Sequence, residues 1–173
     1  MTEPLPAAEE LVGLMPHAAA MGVTLDRASA EGVRGWVAWA PDRCTVGGVL
    51  HGGVLMTLAD SVGAVCAYLN LPSGATTSTV ESKTSFFRAV RSGAVHATSR
   101  PLHVGRSFIV VQTDLTDDSG KPVGQTTQTQ AVLRAAGSEV HRVPEQPADV
   151  SIAQPHPSAA AAPGAGQSNA LSP

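Results

Sequence analysis

The sequence of 173 residues is poor in cysteine, in aromatic residues and in charge. It contains two cysteines, 3% aromatic residues and 14% charged residues. Two scattered cysteines exclude a disulfide framework and Cys-x-x-Cys metal clips, and they are typical of reduced thiols in a cytosolic protein. The six histidines also lack metal-ligand spacing. We therefore expect a cytoplasmic protein that binds no metal.

The chain also has no long basic run and no long apolar run. Its formal net charge is -3, which argues against non-specific binding of nucleic acid, because such binding needs a positive field. There is no stretch of about 20 apolar residues that could span a bilayer. The N-terminal sequence MTEPLPAAEE lacks the basic segment and apolar core of a secretory signal. The sequence thus predicts neither nucleic acid nor membrane as a partner.

The composition of the chain changes near residue 136. From Pro144 onward the only large apolar residues are Val150, Ile152 and Leu171, among many Pro, Ala, Ser, Gln and Gly. Such a segment buries too little apolar surface to offset the entropy of ordering it. We expect one domain over residues 1–135 and a flexible Pro/Ala-rich tail over residues 136–173.

Hydrophobic periodicity predicts an α+β fold for the domain. A period of 3.6 residues indicates a long helix after a Gly-rich loop, and a period of two indicates strands on both sides of it. The predicted elements are a short helix over 6–15, strands over 22–30 and 32–40, the long helix over 54–71, and strands over 76–90, 94–104, 106–115 and 121–134. This order is typical of one antiparallel sheet that wraps around the long helix.

Asp60 is the single charged residue between Cys44 and Val80. It lies in the middle of the long helix, opposite the apolar stripe. The surrounding small-residue face consists of Gly53, Gly63, Ala64 and Ala67. A helix without a charged face is usually covered on both sides, so we expect another backbone to lie close to this face. A buried carboxylate without a cation is a functional candidate, and the alternative is a carboxylate held by backbone amides.

The tripeptide His51-Gly52-Gly53 lies at the start of the same helix. Free N–H groups point outward at a helix N-terminus, and the helix dipole there favours negative charge. Glycine allows a ligand to approach the backbone closely. The Gly52 N–H could therefore polarise a carbonyl group as an oxyanion hole does.

The segments HGGVLMTLADSVGA, TVESKTSFFRAV and HVGRSFIVVQTDLTDDSGKPVGQTTQTQAVL resemble the hotdog-fold acyl-CoA thioesterases. The most similar groups are the PaaI-type and the 4-hydroxybenzoyl-CoA thioesterases that carry an acid on the long helix. The resemblance extends from about Met15 to Arg134. It implies hydrolysis of an aryl or small-to-medium acyl-CoA to the free acid and CoA, with no cofactor. It also implies a homo-oligomer, in which two sheets join edge to edge, dimers usually pair into a homotetramer, and active sites lie between subunits.

The resemblance also assigns roles to individual residues. Asp60 would be the nucleophile or general base, Gly52 would supply the polarising N–H, and His51 would shape the loop. Thr45 stands where one branch has an amide that positions substrate or water, and Thr79 fills the place of a hydroxyl residue in another branch. These five form the predicted catalytic set.

A second set of residues would bind substrate and CoA. Arginine suits phosphate because its forked donors match phosphate oxygens. In the related enzymes, residues at the positions of Arg88 and Arg106 meet the CoA phosphates. The predicted binding set is Gly53, Arg88, Arg106, Ser107 and Arg134.

Two other functions are open to a chain with this pattern. A hotdog hydratase or dehydratase would need an Asp and a His that cooperate on the acyl chain, and His51 would be the candidate. A non-catalytic acyl-CoA-binding sensor would need an output module, but the sequence shows no helix-turn-helix pattern and no basic patch. The nine-residue spacing between His51 and Asp60 favours the hydrolase.

Overall fold

The computed structural model describes residues 8–134. Three helices and eight strands make up this part of the chain. They are α1 (Ala8–Gly13), α2 (Pro16–Ala20), β1 (Thr24–Ser29), β2 (Gly32–Ala38), β3 (Cys44–Thr45), β4 (Val49–Leu50), α3 (Gly52–Tyr68), β5 (Ala75–Phe86), β6 (Ala94–Val104), β7 (Phe108–Asp117) and β8 (Pro122–Arg134), with a 3-10 turn at Pro41–Arg43. Among the described residues, no helix is long and apolar enough to cross a membrane.

Six strands form one antiparallel sheet in the order β1-β2-β6-β7-β8-β5. The long helix α3 contacts β2, β6 and β7 in the middle of the sheet as well as β8 and β5. The predicted α+β arrangement, an antiparallel sheet around a long central helix, is therefore confirmed. Strand β5 is an edge strand of this sheet, and β1 is the other.

The apolar stripe of α3 forms the core with the inner face of the sheet. Leu58, Val62 and Cys66 of the helix are fully buried, as are Val95 and Ile109 of the sheet. Burial of a side chain of this size stabilises the fold by about 1.5–3 kcal/mol, so the stripe holds α3 in place. Burial also raises the pKa of the Cys66 thiol to about 11, which keeps this cysteine protonated and unreactive.

Some elements differ from the predicted ones. Helix α2 was not expected, and it begins at Pro16 because proline is favoured in the first turn of a helix. The hairpin of β3 and β4 was also missed, since strands of two residues are too short to show a period. Its turn contains Gly47 and Gly48, both with positive φ. The predicted tail, residues 136–173, lies outside the described residues and stays a prediction.

The small-residue face of α3 is covered in part by the sheet of the same chain. Gly63 is buried against its own sheet, and a Cβ at this position would overlap Oε1 of Gln128 on β8. Ala67 is fully buried as well. The close neighbour expected at this face is therefore, at Gly63, strand β8 of the same chain, because the sheet curves far enough to reach this side of the helix.

Candidate active site

The carboxylate of Asp60 is half-buried and is held from the sheet by side chains. Its Oδ1 atom accepts a hydrogen bond from Nε2 of Gln128 on β8, and the Thr79 hydroxyl of β5 donates to the same atom at 3.5 Å. Within residues 8–134, Oδ2 of Asp60 accepts no hydrogen bond. The partners of Asp60 are thus a side-chain amide and a hydroxyl, not the backbone amides considered above.

The Thr79 hydroxyl is itself oriented by a second buried glutamine. Nε2 of Gln130 donates to the Thr79 oxygen at 2.9 Å, and the Thr77 hydroxyl lies 3.0 Å from Oε1 of Gln130. Because the Thr79 oxygen already accepts from Gln130, its own hydrogen is available for Asp60. Gln128 and Gln130 are both fully buried, so this hydrogen-bond network supports the carboxylate from the interior of the sheet.

Burial raises the pKa of the Asp60 carboxyl, and the hydrogen bond from Thr79 counteracts part of this effect. The cause is desolvation, which disfavours the charged form. Neither of the ion pairs found in the described residues involves Asp60. A carboxyl with a raised pKa and no paired cation is typical of catalytic acids and bases.

Asp60 lines a cavity of about 480 Å³ between α2 and α3. His17 of α2 shares this cavity, and its Nε2 lies 3.2 Å from the Thr57 hydroxyl. That hydroxyl donates to the Gly53 carbonyl at 3.0 Å, so His17 is the donor in the first contact. Most of the wall is apolar or small. The lining residues are Met15, Pro16, His17, Ala18, Met56, Thr57, Asp60, Ser61, Ala64 and Ser82.

The start of α3 has the free donor that the sequence predicted. The side chain of His51 caps the helix, and its Nδ1 accepts the Gly53 N–H at 2.8 Å. The Gly52 N–H donates no hydrogen bond within the described part of the chain. Gly53 is therefore occupied by its own cap, whereas Gly52 offers a donor to a ligand.

Gly52 and Asp60 lie in different cavities of the same chain. Gly52 lines a cavity of about 370 Å³ together with Thr45, Phe86 and Arg88, and Asp60 is not part of it. The two residues are eight positions apart on α3, which corresponds to about 12 Å along the helix. The acid and the backbone donor of one chain therefore line two separate cavities.

The predicted CoA-binding residues are also divided. Arg88 lies where β5 ends, with its N–H bonded to the Val123 carbonyl, and its side chain contacts Asp117 at 3.8 Å. Ser107 bonds to Val132 at the other end of β8. At about 3.4 Å per residue, these two ends are roughly 30 Å apart along β8.

Arg106 and Arg134 lie at the Ser107 end of the sheet, and both are exposed. A single chain thus does not bring Arg88 together with Arg106, Ser107 and Arg134.

The sequence interpretation missed Gln128, Gln130 and His17. A signal for the glutamines was present, because strand β8 reads TTQTQ and so has polar residues at inward as well as outward positions. A strand that is polar on both faces does not simply contribute to an apolar core. No comparable pattern marked His17, since its position depends on the turn that places α2 over α3.

Comparison with known proteins agrees with this geometry. The thioesterase superfamily profile matches residues 47–123. The 1,4-dihydroxy-2-naphthoyl-CoA hydrolase of Escherichia coli is 33% identical over 86 residues, which cover 50% of this chain and 63% of that protein, less than two thirds of its length. The proofreading thioesterase EntH of Cronobacter sakazakii is 31% identical over 86 residues, again 50% of this chain and 63% of the relative.

Solved structures show the same similarity over more of the fold. A mutant of thioesterase PA1618 from Pseudomonas aeruginosa superposes with a TM-score of 0.72 at 27% identity, covering 77% of this chain and 98% of that one. Thioesterase HI1161 from Haemophilus influenzae gives a TM-score of 0.73 at 25% identity, covering 79% and 96%. The fold is therefore the hotdog fold of thioesterases. The sequence is thus similar to proteins of the thioesterase superfamily, and the two relatives described above are named as thioester hydrolases.

Proposed function

We propose that this protein is an acyl-CoA thioesterase with Asp60 as its catalytic carboxylate. The observation that carries the proposal is the half-buried Asp60, held through Oδ1 by Gln128 and Thr79 at the wall of a cavity. Hydrolysis adds water to the thioester and releases a carboxylic acid and CoA thiol. Either Asp60 attacks the carbonyl carbon and expels CoA thiolate to form an anhydride that water then opens, or it takes a proton from the attacking water.

The acyl group of the proposed substrate is an aryl or a small-to-medium acyl chain. A cavity of about 480 Å³ is in the range that accommodates small-molecule ligands. Met15 and Met56 give it an apolar wall suited to a ring or a short chain. The similar E. coli protein is named as the hydrolase of an aromatic CoA thioester, which supports the aryl alternative. The CoA part of the substrate needs no further cofactor.

The active site is proposed to be composite, with Asp60 from one subunit and Gly52 from another. The positions of Asp60 and Gly52 in two separate cavities of one chain support this assembly. The partner would join at β5, a 12-residue edge strand whose free N–H and C=O groups can pair with another strand. Val80 and Phe86 of this strand are 61% and 51% exposed, and a second sheet would cover such apolar side chains. In that assembly, Arg88 of one subunit could approach the Arg106 end of another.

His51 supports hydrolysis over hydration. A hydratase would use the His51 ring as a catalytic group, whereas here its Nδ1 accepts the Gly53 N–H. The position of the ring is thus explained by helix capping.

The test is a panel of aryl and aliphatic acyl-CoAs incubated with a thiol reagent that reports free CoA. We expect release of CoA, and we expect Asp60→Asn to lower kcat by about 10³-fold with little change in CoA affinity. Near-normal turnover in Asp60→Asn would eliminate the proposed mechanism. Absence of CoA release with every substrate would contradict the function itself.

A further inference from the structure

We propose that Gln128 is a positioning residue that holds Oδ1 of Asp60 and thereby leaves Oδ2 as the oxygen that reacts. This inference rests on the proposed thioesterase function. Gln128 was not among the residues that the sequence marked, and it acts through Asp60 without contacting the substrate.

The first observation is the contact itself. Nε2 of Gln128 donates to Oδ1 of Asp60, and the same nitrogen lies 3.4 Å from the Thr79 oxygen. The Thr79 hydroxyl also donates to Oδ1, and two donors on one carboxylate oxygen fix the rotation of the carboxyl group. The other oxygen, Oδ2, then keeps its lone pairs for a substrate carbon or for a water proton.

The second observation is that Gln128 lies in an environment that does not favour a glutamine. Its side chain is fully buried, and its Oε1 is buried without a hydrogen-bond partner among the described residues. An unpaired buried acceptor is unfavourable for folding. Gln130, two residues along the same strand, has partners for both amide atoms. A Gln128 chosen for stability alone would be expected to have its oxygen bonded too.

The third observation is the space that α3 leaves for this side chain. Gly63 lies directly above the Gln128 amide, and any Cβ there would overlap Oε1. Glycine in a helix interior is less stable than alanine. The helix thus contains a residue with low helix propensity at a position where any side chain would displace Gln128 from Asp60.

The test is Gln128→Met, which keeps a side chain of similar length and removes the amide. We expect kcat to fall on the order of 10- to 100-fold with KM close to the parent value, because the carboxylate loses its orientation. The acid limb of the kcat/KM profile should move to higher pH, since a donor that favours the ionised carboxylate is lost. The melting temperature should change little, because removal of the unpaired Oε1 offsets the loss of the hydrogen bond to the carboxylate.

Gln125→Met is the matched control on the same strand. Gln125 is exposed and bonds to Asp114 on the outer face of the sheet, so its replacement should leave kcat and the acid limb at parent values. The other titratable group at the Asp60 cavity is His17, while Glu81 and Lys83 of β5 are exposed. A shift of the acid limb relative to the parent that occurs in Gln128→Met but not in Gln125→Met would thus report on the contact with Asp60.

Failure of this inference differs from failure of the proposed function. Unchanged kcat and an unchanged acid limb in Gln128→Met would overturn the inference while the parent enzyme still releases CoA. A lower melting temperature with an unchanged acid limb would also overturn it, because that result indicates a purely structural role. Should Gln128→Met fail to fold, Gln128→Leu removes the same amide with a shorter side chain and must give the same shift.

A readout without turnover covers the case in which the parent shows no activity. Titration of the Asp60 carboxyl carbon by NMR gives its pKa in the parent and in Gln128→Met. A pKa that is higher in the variant supports the positioning contact, and equal values overturn it.

Discussion

Gly63 on α3 lies directly over the side-chain oxygen of Gln128 on β8, and this oxygen occupies the position that a Cβ atom at Gly63 would need. The Thr113 hydroxyl of β7 lies 3.4 Å from the same hypothetical Cβ. This pair shows how the sheet reaches the carboxylate. The helix approaches β8 closely only where glycine allows it, and the approach brings the Gln128 amide to Asp60.

Replacement of Gly63 by alanine should therefore destabilise the protein. Overpacking of a buried site costs about 1–3 kcal/mol, and the gain in helix propensity offsets about 0.5–1 kcal/mol of it. Chemical denaturation should show a net loss in Gly63→Ala that shrinks when Gln128→Ser is added, as a double-mutant cycle measures. Gly13 is the control, because a Cβ there has no neighbour within 4 Å. A Gly63→Ala variant as stable as the Gly13→Ala variant would contradict the overlap.

Asp60→Asn should be more stable than the parent at neutral pH. Because burial raises the pKa of this carboxyl in the folded state, its stabilising contribution is complete below the unfolded pKa of about 3.9 and is lost as pH rises through the folded pKa. The melting temperature of Asp60→Asn should exceed that of the parent at pH 7, and the gap should narrow as the pH falls. Thermal melts of both proteins, recorded from neutral pH down into the acid range, measure this difference in melting temperature.

The exposed Asp26 of β1 provides the control for this melt series. Asp26→Asn should give no gap of comparable size at any pH, because its side chain remains in water. A parent that is more stable than Asp60→Asn at pH 7 would show that the carboxylate stabilises the fold.

Replacement of Gly52 by proline, which removes the N–H, should impair turnover more than replacement by alanine, which keeps the N–H and adds a methyl group. Gly52 is the first residue of α3, where proline is tolerated, and the φ of -64° and ψ of 137° at His51 suit a residue before proline. Gly52→Ala keeps the N–H and places its Cβ 3.3 Å from the Phe86 ring. We expect Gly52→Pro to have a kcat about 10²–10³ lower than Gly52→Ala. Equal kcat values in the two variants would exclude this N–H as the oxyanion donor.

Mixed oligomers should recover activity if the site is composite. A heterodimer of Asp60→Asn and Gly52→Pro chains has one site with both groups intact and one with neither. Random mixing by unfolding and refolding should therefore restore about one quarter of parental activity from two inactive variants. Activity that stays at the level of the separate variants, with heterodimers verified by mass, would place Asp60 and Gly52 of the same chain in one site.

The sequence alone determined most of the fold. The 3.6-residue period of Leu58, Val62 and their neighbours specifies α3, because one stripe of the helix must be buried. The alternation along β5 to β8 specifies the strands, and Gly93 and Gly120, with their positive φ, lie between the strands predicted over 76–90 and 94–104 and over 106–115 and 121–134. It also identified Asp60, since the absence of other charged residues around a carboxylate on an apolar helix can be read directly from the sequence.

Only the tertiary structure decided what surrounds that carboxylate. Gln128 is 68 residues from Asp60, and their contact depends on the strand order that places β8 between β7 and β5. The strand that covers Gly63 was also not predictable, since the period of a helix shows which residues share a face but not which strand covers it. The sequence thus determined where the charge lies along the helix. The curvature and order of the sheet determined which donors reach it, because contacts between distant segments depend on how the whole chain packs.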